Sequence, residues 1–252
     1  MSTFTQPPTH QPNQTAALIS IKLPDGEACI HGLTAVNAVL RQAGVYISQI
    51  SIPKEAIPIL EQSEHRKLTD EERDELVSLF PLHRGELLEV IAKAGRQPEA
   101  KRGGFLNSAE YGSTPYPKVV DLKAIPVDDV DAFHARLARL HTNSSEDGIG
   151  IDKVMTIVSG GSTDWFFKLA GSTVAKVTLG AVALGGQAWR ISYPGIGIHG
   201  CHLKADDGVF VAYAHGPRNF VVRYADESVE NAELLGTNPW LEFASGAVKL
   251  CR

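Results

Sequence analysis

The sequence predicts an α+β protein in which a helical, mixed N-terminal part precedes a β-rich, antiparallel C-terminal part. In the first half, apolar residues recur at helical spacing in several segments. From residue 149 onward, β-branched and aromatic runs alternate with Gly-Gly, Gly-Ser and Ser-Thr pairs, at spacings of about eight to twelve residues that are typical of a sandwich or a barrel. The predicted regions are a disordered tail over 1–15, a mixed region over 16–118 and a β-rich region over 119–252.

The N-terminal part is predicted to begin with strands and one helix. The tail is rich in Gln, Pro and Thr and lacks the basic start and apolar core of a secretory signal. In AALISIKLPDGEACI, a Pro-Asp-Gly turn separates two apolar runs and predicts two strands. LTAVNAVLRQAG predicts a helix ended by Gly44, and the alternation in VYISQISIP predicts a strand.

Two amphipathic helices are predicted next. Thr69 and Glu72 form the sequence pattern of a capping box at the start of LTDEERDELVSLF, and Pro81 ends that helix. RGELLEVIAKAGR predicts a second helix ended by Gly95. The stretch 96–118 is rich in Gly, Pro and Ser and predicts a long loop, either functional or disordered.

The β-rich part opens with a strand in KVVDLKAIPVDDV and a helix in DDVDAFHARLARLHTN that ends at His141. Farther along, VFVAYA and FVVRYA predict two strands joined by the turn HGPRN. The aromatic residues of this region are expected to fill the interior between the strands. They are Trp165, Phe166, Phe167 and Trp189.

The composition argues against several classes of partner. A net charge of −5 and a pI near 6.0 disfavour binding to nucleic acid or to an anionic membrane surface. There is no apolar run of roughly eighteen residues, the length that a membrane-spanning helix needs. Three cysteines, far apart and odd in number, favour a reduced, cytoplasmic location. A homodimer is the default expectation because sheet edges tend to pair.

Two histidines, His199 and His202, lie three residues apart at the end of RISYPGIGIHGCHL. Neutral imidazole is a common metal ligand, which raises the hypothesis of a metal site. Residues three apart on a strand point to opposite faces, so only a turn would direct both rings at one ion, and Pro194 and Gly195 permit one. The alternative is a turn with one solvated and one hydrogen-bonded histidine.

Three segments between residues 141 and 224 resemble the cupin superfamily. HTN at 141–143 is similar to the first part of the first cupin motif, and Asp152 stands where an acidic residue precedes a glycine. GGQAWRISYPGIGIHG at 185–200 is similar to the second motif and ends on His199. The resemblance implies a cupin-like antiparallel β-barrel that holds a divalent metal ion through His199, His141 and Asp152. The overall layout also resembles, more loosely, the 4-hydroxylaminobenzoate lyase family.

The resemblance implies a small-molecule enzyme, a metal-dependent dioxygenase, isomerase or lyase that acts on a small aromatic or acidic compound. The candidate catalytic residues are His199, His202, His215 and Tyr193, and Arg190 and Tyr213 are further candidates to line the pocket. The alternative is a non-enzymatic ligand-binding or assembly domain without the metal, because Asn143 stands where the motif has its second histidine. A third hypothesis is a metal-free hydrolase that uses Cys201 or a serine.

Overall fold

The computed structural model describes residues 18–24, 26, 28–97, 106–244 and 247–251. The predicted tail over 1–15 lies outside these residues, as does the middle of the predicted loop over 96–118. The helices are α1 (Leu33–Leu40), α2 (Ile57–His65), α3 (Asp70–Leu79), α4 (Arg84–Lys93) and α5 (Val130–Ala138). The strands are β1 (Ile19–Lys22), β2 (Ile30–His31), β3 (Tyr46–Ser51), β4 (Ala109–Glu110), β5 (Lys118–Asp121), β6 (Thr142–Ser144), β7 (Asp152–Gly160), β8 (Thr163–Lys168), β9 (Val174–Leu179), β10 (Gln187–Pro194), β11 (His199–Leu203), β12 (Gly208–His215), β13 (Asn219–Arg223), β14 (Leu241–Ala244) and β15 (Ala247–Leu250).

The described strands form two five-stranded antiparallel sheets and two smaller ones. The first sheet has the order β11-β8-β9-β1-β2, and the second has the order β3-β10-β7-β12-β5. The smaller sheets are β4-β13-β6 and β14-β15. Because β1 pairs with β9 and β3 pairs with β10, strands from both predicted regions share the two large sheets. The predicted α+β class is therefore confirmed.

The two large sheets pack against each other through aromatic side chains. Trp165 and Phe167 on β8 contact Tyr193 on β10, with ring centroids 5.7 and 6.0 Å apart. All three side chains are buried in one continuous apolar core. Aromatic pairs at this spacing bury a large apolar area and favour tilted geometries, so they set the distance between the sheets.

The outer faces of the sheets are covered by helices. Helices α2, α3 and α4 pack on the second sheet, where the Tyr213 hydroxyl of β12 donates to the Val77 carbonyl of α3 at 3.3 Å. Helix α5 packs on β11 of the first sheet. In the part of the chain that the structure describes, no helix is both long and apolar enough to cross a membrane.

Two helix boundaries predicted from the sequence are found in the structure, one with the expected capping hydrogen bonds and one with the expected glycine conformation. Thr69 caps α3: its Oγ1 accepts from the Glu72 amide at 3.2 Å, and the Glu72 carboxylate accepts from the Thr69 amide at 2.8 Å. Gly44 takes the left-handed conformation (φ 64°) just after α1 and the short 3-10 turn that follows it. Such positions favour glycine because a side chain there is strained.

Two predictions for the C-terminal part differ from the structure. Helix α5 ends at Ala138, because Arg139 is extended (ψ 137°), so His141 belongs to an extended segment and not to the helix. The strands β12 and β13 are both present, but the HGPRN turn does not join them into a hairpin. Strand β12 pairs with β5 and β7, whereas β13 pairs with β4 and β6.

A buried carboxylate joins α3 to the second sheet. Asp121, at the end of β5, accepts from the Leu68 amide at 2.7 Å and from the Lys123 amide at 3.0 Å. Both bonds are to a charged acceptor, which makes them stronger than bonds between neutral groups.

We predict that Asp121→Asn lowers the free energy of unfolding by about 2 kcal/mol, because an amide offers one oxygen acceptor where the carboxylate offers two. Urea denaturation measures the change. Asp74→Asn, the same chemical change at an exposed position on α3, is the control and should leave stability within about 0.5 kcal/mol of the wild type. Equal stability losses in the two variants would contradict the role of Asp121.

Candidate functional site

A cavity of about 350 Å³ lies between the inner faces of the two large sheets. Its apolar wall includes Met155 of β7, Trp165 of β8 and Phe210 of β12. Its polar lining comes from both sheets, α5 and the segments around β4 and β13. The titratable lining residues are Glu110, Tyr111, Tyr116, Lys118, Arg136, His141, Lys153, Tyr193, His199, Cys201 and Tyr224.

Two histidines face each other at this cavity. His141 and His199 are partners in a short antiparallel bridge, with amide-to-carbonyl distances of 2.8 and 3.0 Å in the two directions. Their ring centroids are 4.4 Å apart. Because the bridge fixes both backbones, the two rings are held side by side although they are 58 positions apart in the sequence.

The glycines before and after His199 allow this close approach. A Cβ on Gly195 would lie 2.7 Å from Ile151 Cγ1 and 2.9 Å from the Ile151 carbonyl oxygen. A Cβ on Gly200 would lie 3.1 Å from the Ala138 carbonyl oxygen. A Cβ at Gly200 would therefore press on the end of α5, and a Cβ at Gly195 would press on the residue before β7 and, at 3.0 Å, on Asn143 Cβ in the segment after α5.

Both imidazoles are held in one tautomer by backbone carbonyls. His141 Nδ1 lies 2.8 Å from the Arg139 carbonyl oxygen, and His199 Nδ1 lies 2.7 Å from the Gly197 carbonyl oxygen. A carbonyl oxygen only accepts, so each Nδ1 carries the proton and each Nε2 keeps a lone pair. His199 Nε2 is buried and has no hydrogen-bond partner among the described residues.

Burial keeps both rings neutral. It lowers the pKa of His141 to about 4, and it lowers the pKa of His199 well below its ordinary value, with the neighbouring His141 and Lys153 adding to that shift. At neutral pH each Nε2 is therefore a proton acceptor.

Two phenols pack on the histidine pair. The Tyr193 ring lies 4.7 Å from His199, and the Tyr224 ring lies 5.4 Å from His141. Burial raises the pKa of Tyr193 well above its ordinary value and that of Tyr224 to about 12. Both hydroxyls stay protonated, and the Tyr224 hydroxyl donates to the Arg136 carbonyl at 2.9 Å.

The cavity carries more basic than acidic side chains. Lys118, Arg136 and Lys153 line it, with Glu110 as the acidic lining residue among those described. None of these four residues was a candidate from the sequence. The sequence does contain an indication of Lys153, because a lysine within the mostly apolar strand segment DKVMTIV is unusual unless it has a partner or a function.

Of the residues predicted from the sequence, His199, His141 and Tyr193 come together at the cavity. Asp152 does not join them, because its carboxylate forms an ion pair with Arg96 on the helix-covered side of β7. His202 points to the other face of β11, where Asp164 and Lys204 act on it electrostatically.

His215, Arg190 and Tyr213 also lie away from the cavity. His215 is opposite Asp152 in the β7–β12 ladder, and Arg190 donates to Thr156 Oγ1 at 3.2 Å. Cys201 does line the cavity, but burial raises the pKa of its thiol, which argues against a thiolate nucleophile.

The described residues do not fit the metal site that the resemblance implies. They contain no group of three His, Cys, Asp or Glu side chains placed to hold one ion. Two imidazole nitrogens remain, whereas catalytic metal sites ordinarily have three protein ligands. Asn143, at the position of the second motif histidine, is fully buried and does not line the cavity.

Comparison with solved structures finds the acireductone dioxygenase of Bacillus anthracis, determined with a cadmium ion in its active centre. The similarity covers 82% of this chain and 98% of that one, with a TM-score of 0.54 and 20% sequence identity. Acireductone dioxygenase is a cupin-fold enzyme, so the resemblance to the cupin superfamily is confirmed as a likeness of fold. The sequence matches no family profile and no curated protein.

The neutral histidine pair makes stability depend on pH. A native pKa of about 4 for His141, against 6.5 for an unperturbed histidine, means that the unfolded chain binds more protons between these values. The contribution of His141 is fully present above pH 6.5 and falls by about 3 kcal/mol as the pH drops toward 4.

We therefore predict that His141→Gln flattens the pH dependence of the unfolding free energy between pH 6.5 and 4. Denaturant titrations across this range measure it. His65→Gln, at an exposed histidine of α2, is the control and should keep the wild-type slope. A wild-type slope in His141→Gln would show that the ring is protonated in the native state.

Proposed function

We propose that this chain is a small-molecule enzyme that binds a small acidic compound in the cavity and moves a proton at the His141–His199 pair. The observation that carries this proposal is the pair of imidazoles with fixed Nδ1 protons and available Nε2 lone pairs, side by side in a cavity with basic lining. The reaction class that follows is isomerisation or elimination, since both require a proton to leave one atom and arrive at another.

The lining suggests how such a compound would bind. Lys118 and Arg136 would pair with a carboxylate, and Met155, Trp165 and Phe210 would contact an apolar or aromatic body. A cavity of about 350 Å³ suits a compound with one aromatic ring.

The histidines would act as proton acceptors in turn. Neutral Nε2 of His199 would take a proton from the bound compound, and the adjacent His141 ring would stabilise the resulting charge or pass the proton on. Tyr193, protonated and in contact with His199, would donate to an oxygen that gains charge. These steps use side chains alone, because the His, Cys, Asp and Glu side chains of the described residues are not placed to hold a metal ion.

The second candidate is a non-enzymatic ligand-binding domain. It is favoured because the described residues offer an incomplete set of metal ligands, whereas the structurally similar dioxygenase holds a metal ion.

An enzyme that moves a proton would exchange a C–H proton of its bound compound with solvent, and a binding domain would not. We predict that a panel of small aromatic and oxo acids in D2O includes a compound whose C–H signal the wild type exchanges, as proton NMR would record. His199→Gln should slow this exchange by about a hundredfold or more, whereas His202→Gln, on the other face of β11, should not. Binding without exchange across the panel would favour the second candidate.

We predict that benzoate binds and quenches the fluorescence of Trp165, which lines the cavity. Lys118→Met should weaken benzoate about tenfold, because a charge-assisted bond to the carboxylate is lost. Lys123→Met, at an exposed lysine outside the cavity, is the control. Benzamide binding as tightly as benzoate would contradict the anionic preference.

We predict that the purified protein holds no metal ion at the level of one per chain, measured by elemental analysis after dialysis. His199→Ala and His202→Ala are analysed beside it. An ion retained at one per chain in the wild type and in His202→Ala but lost in His199→Ala would overturn this expectation and restore the metal-dependent alternative.

A further inference from the structure

Lys153 lies near the start of β7, where its side chain turns into the cavity between the two large sheets. It is only 7% exposed, although lysine is rarely buried without an ionic partner. Its ladder neighbours are Tyr193 on β10 and Ala214 on β12, so strands on both sides fix its backbone. A buried amine at the wall of a cavity, on a backbone held from both sides, is placed to meet a bound molecule.

The surroundings of the Lys153 amine are aromatic. Its Nζ lies 4.9 Å from the centroid of the Phe220 ring and 6.0 Å from that of Tyr116. Among the described residues, no carboxylate forms an ion pair with it and no acceptor forms a hydrogen bond with it. Cation–π contacts of this kind are weaker than an ion pair and leave the amine's lone pair accessible once a proton is lost.

Lysines in and next to the sheets have partners that Lys153 lacks. Lys204 pairs with Asp164 at 3.0 Å, and Lys168 pairs with Glu230 at 3.5 Å. The structural role that explains those lysines therefore does not explain Lys153.

We propose that Lys153 is a nucleophile that condenses with the carbonyl group of a small oxo acid to form a Schiff base. This inference rests on the proposed function, since it names the substrate class of the same cavity: a molecule that carries both a carboxylate and an aldehyde or ketone. Lys118 and Arg136 would hold the carboxylate, and the carbonyl carbon would face Lys153.

The burial of the amine supports this role. Lys153 lies in the cavity wall against the Phe220 and Tyr116 rings, out of bulk water. Lysines desolvated in such apolar surroundings are the ones that serve as nucleophiles toward carbonyl groups.

The histidine pair supplies the proton transfers that the condensation needs. The neutral amine attacks the carbonyl carbon, and a C–N bond forms while the C–O π bond breaks. An Nε2 of the pair accepts a proton from the nitrogen and returns it to the oxygen, which gives a carbinolamine. The nitrogen lone pair then forms the C=N bond while the C–O bond breaks, and the oxygen leaves as water with a second proton donated by the pair. The iminium nitrogen gives its remaining proton back to the pair. The products are an imine and one water molecule, with no oxidant or reductant consumed.

The test uses 4-formylbenzoate, which combines a benzoate with an aldehyde, and sodium cyanoborohydride, which reduces an imine to a stable amine. The protein is incubated with both reagents, and its intact mass and tryptic peptides are measured by mass spectrometry. We expect one adduct per chain, located on Lys153, and its formation should be suppressed by excess benzoate.

Matched variants separate this site from surface lysines. Lys153→Arg and Lys123→Arg each keep a positive charge, but only Lys153→Arg removes the proposed nucleophile, so only it should lower the adduct yield by about tenfold or more. Lys123 is exposed and does not line the cavity. Peptide mapping of the wild type gives the location directly, even if Lys153→Arg does not fold. Adducts spread over exposed lysines, or an unchanged yield in a folded Lys153→Arg, would overturn the proposal.

The same samples distinguish a failure of the Schiff-base proposal from a failure of the proposed function. If 4-formylbenzoate and benzoate each quench Trp165 fluorescence and each bind more weakly to Lys118→Met, but no adduct forms, the Schiff base is refuted and acid binding stands. If neither compound binds, the proposed function fails as well, and an adduct that benzoate does not suppress would place the reaction outside the cavity.

Discussion

The bridge between His141 and His199 is the contact on which the site depends. It joins the segment after α5 to the first residue of β11 and aligns two rings whose Nδ1 atoms are already bonded to carbonyls two residues earlier. A pair held by its own backbone needs no other side chain to orient it. The bridge brings neighbouring backbone segments close together. Gly195 and Gly200 occupy positions where a Cβ would meet one of these backbones.

The neutrality of this pair follows from where the bridge lies. Both rings are buried between the sheets, and the nearby cationic Lys153 further disfavours a second proton on either ring. An imidazolium there would be desolvated and next to another positive charge, with no carboxylate of the described residues bonded to it. The site therefore has bases within its cavity and cations around them, an arrangement that suits a bound anion.

The sequence predicted those parts of the protein that depend on local chemistry. The capping box at Thr69, the helix ends at Gly44 and Gly95, and the strand-rich second half follow from residue preferences that need no knowledge of distant contacts. Sheet membership was not accessible in this way. The HGPRN turn carries the chain from one sheet to another, and only the packing of β13 on β6 decides that.

The candidate site was partly predictable, through the resemblance. It selected His141 and His199, which the structure brings together, and alternation along a strand correctly separated His199 from His202. The resemblance also selected Asp152, but the pleat turns that side chain toward Arg96 and the next one, Lys153, into the cavity. Which side chains of β7 face the cavity depends on how β7 pairs with β10 and β12, and no motif in the sequence specifies that pairing.

Lys153 also bears on the question of a metal in this fold. A divalent ion held by two imidazoles would lie in the same cavity as the Lys153 ammonium group, and like charges repel more strongly inside a protein than in water. An acidic ligand would reduce such a repulsion, but Asp152 faces away and pairs with Arg96. A carboxylate-bearing molecule meets the opposite situation, since each basic group of the lining attracts it. The parity of one strand thus gives the cavity a basic lining, while the sheets around it keep their likeness to the fold of acireductone dioxygenase.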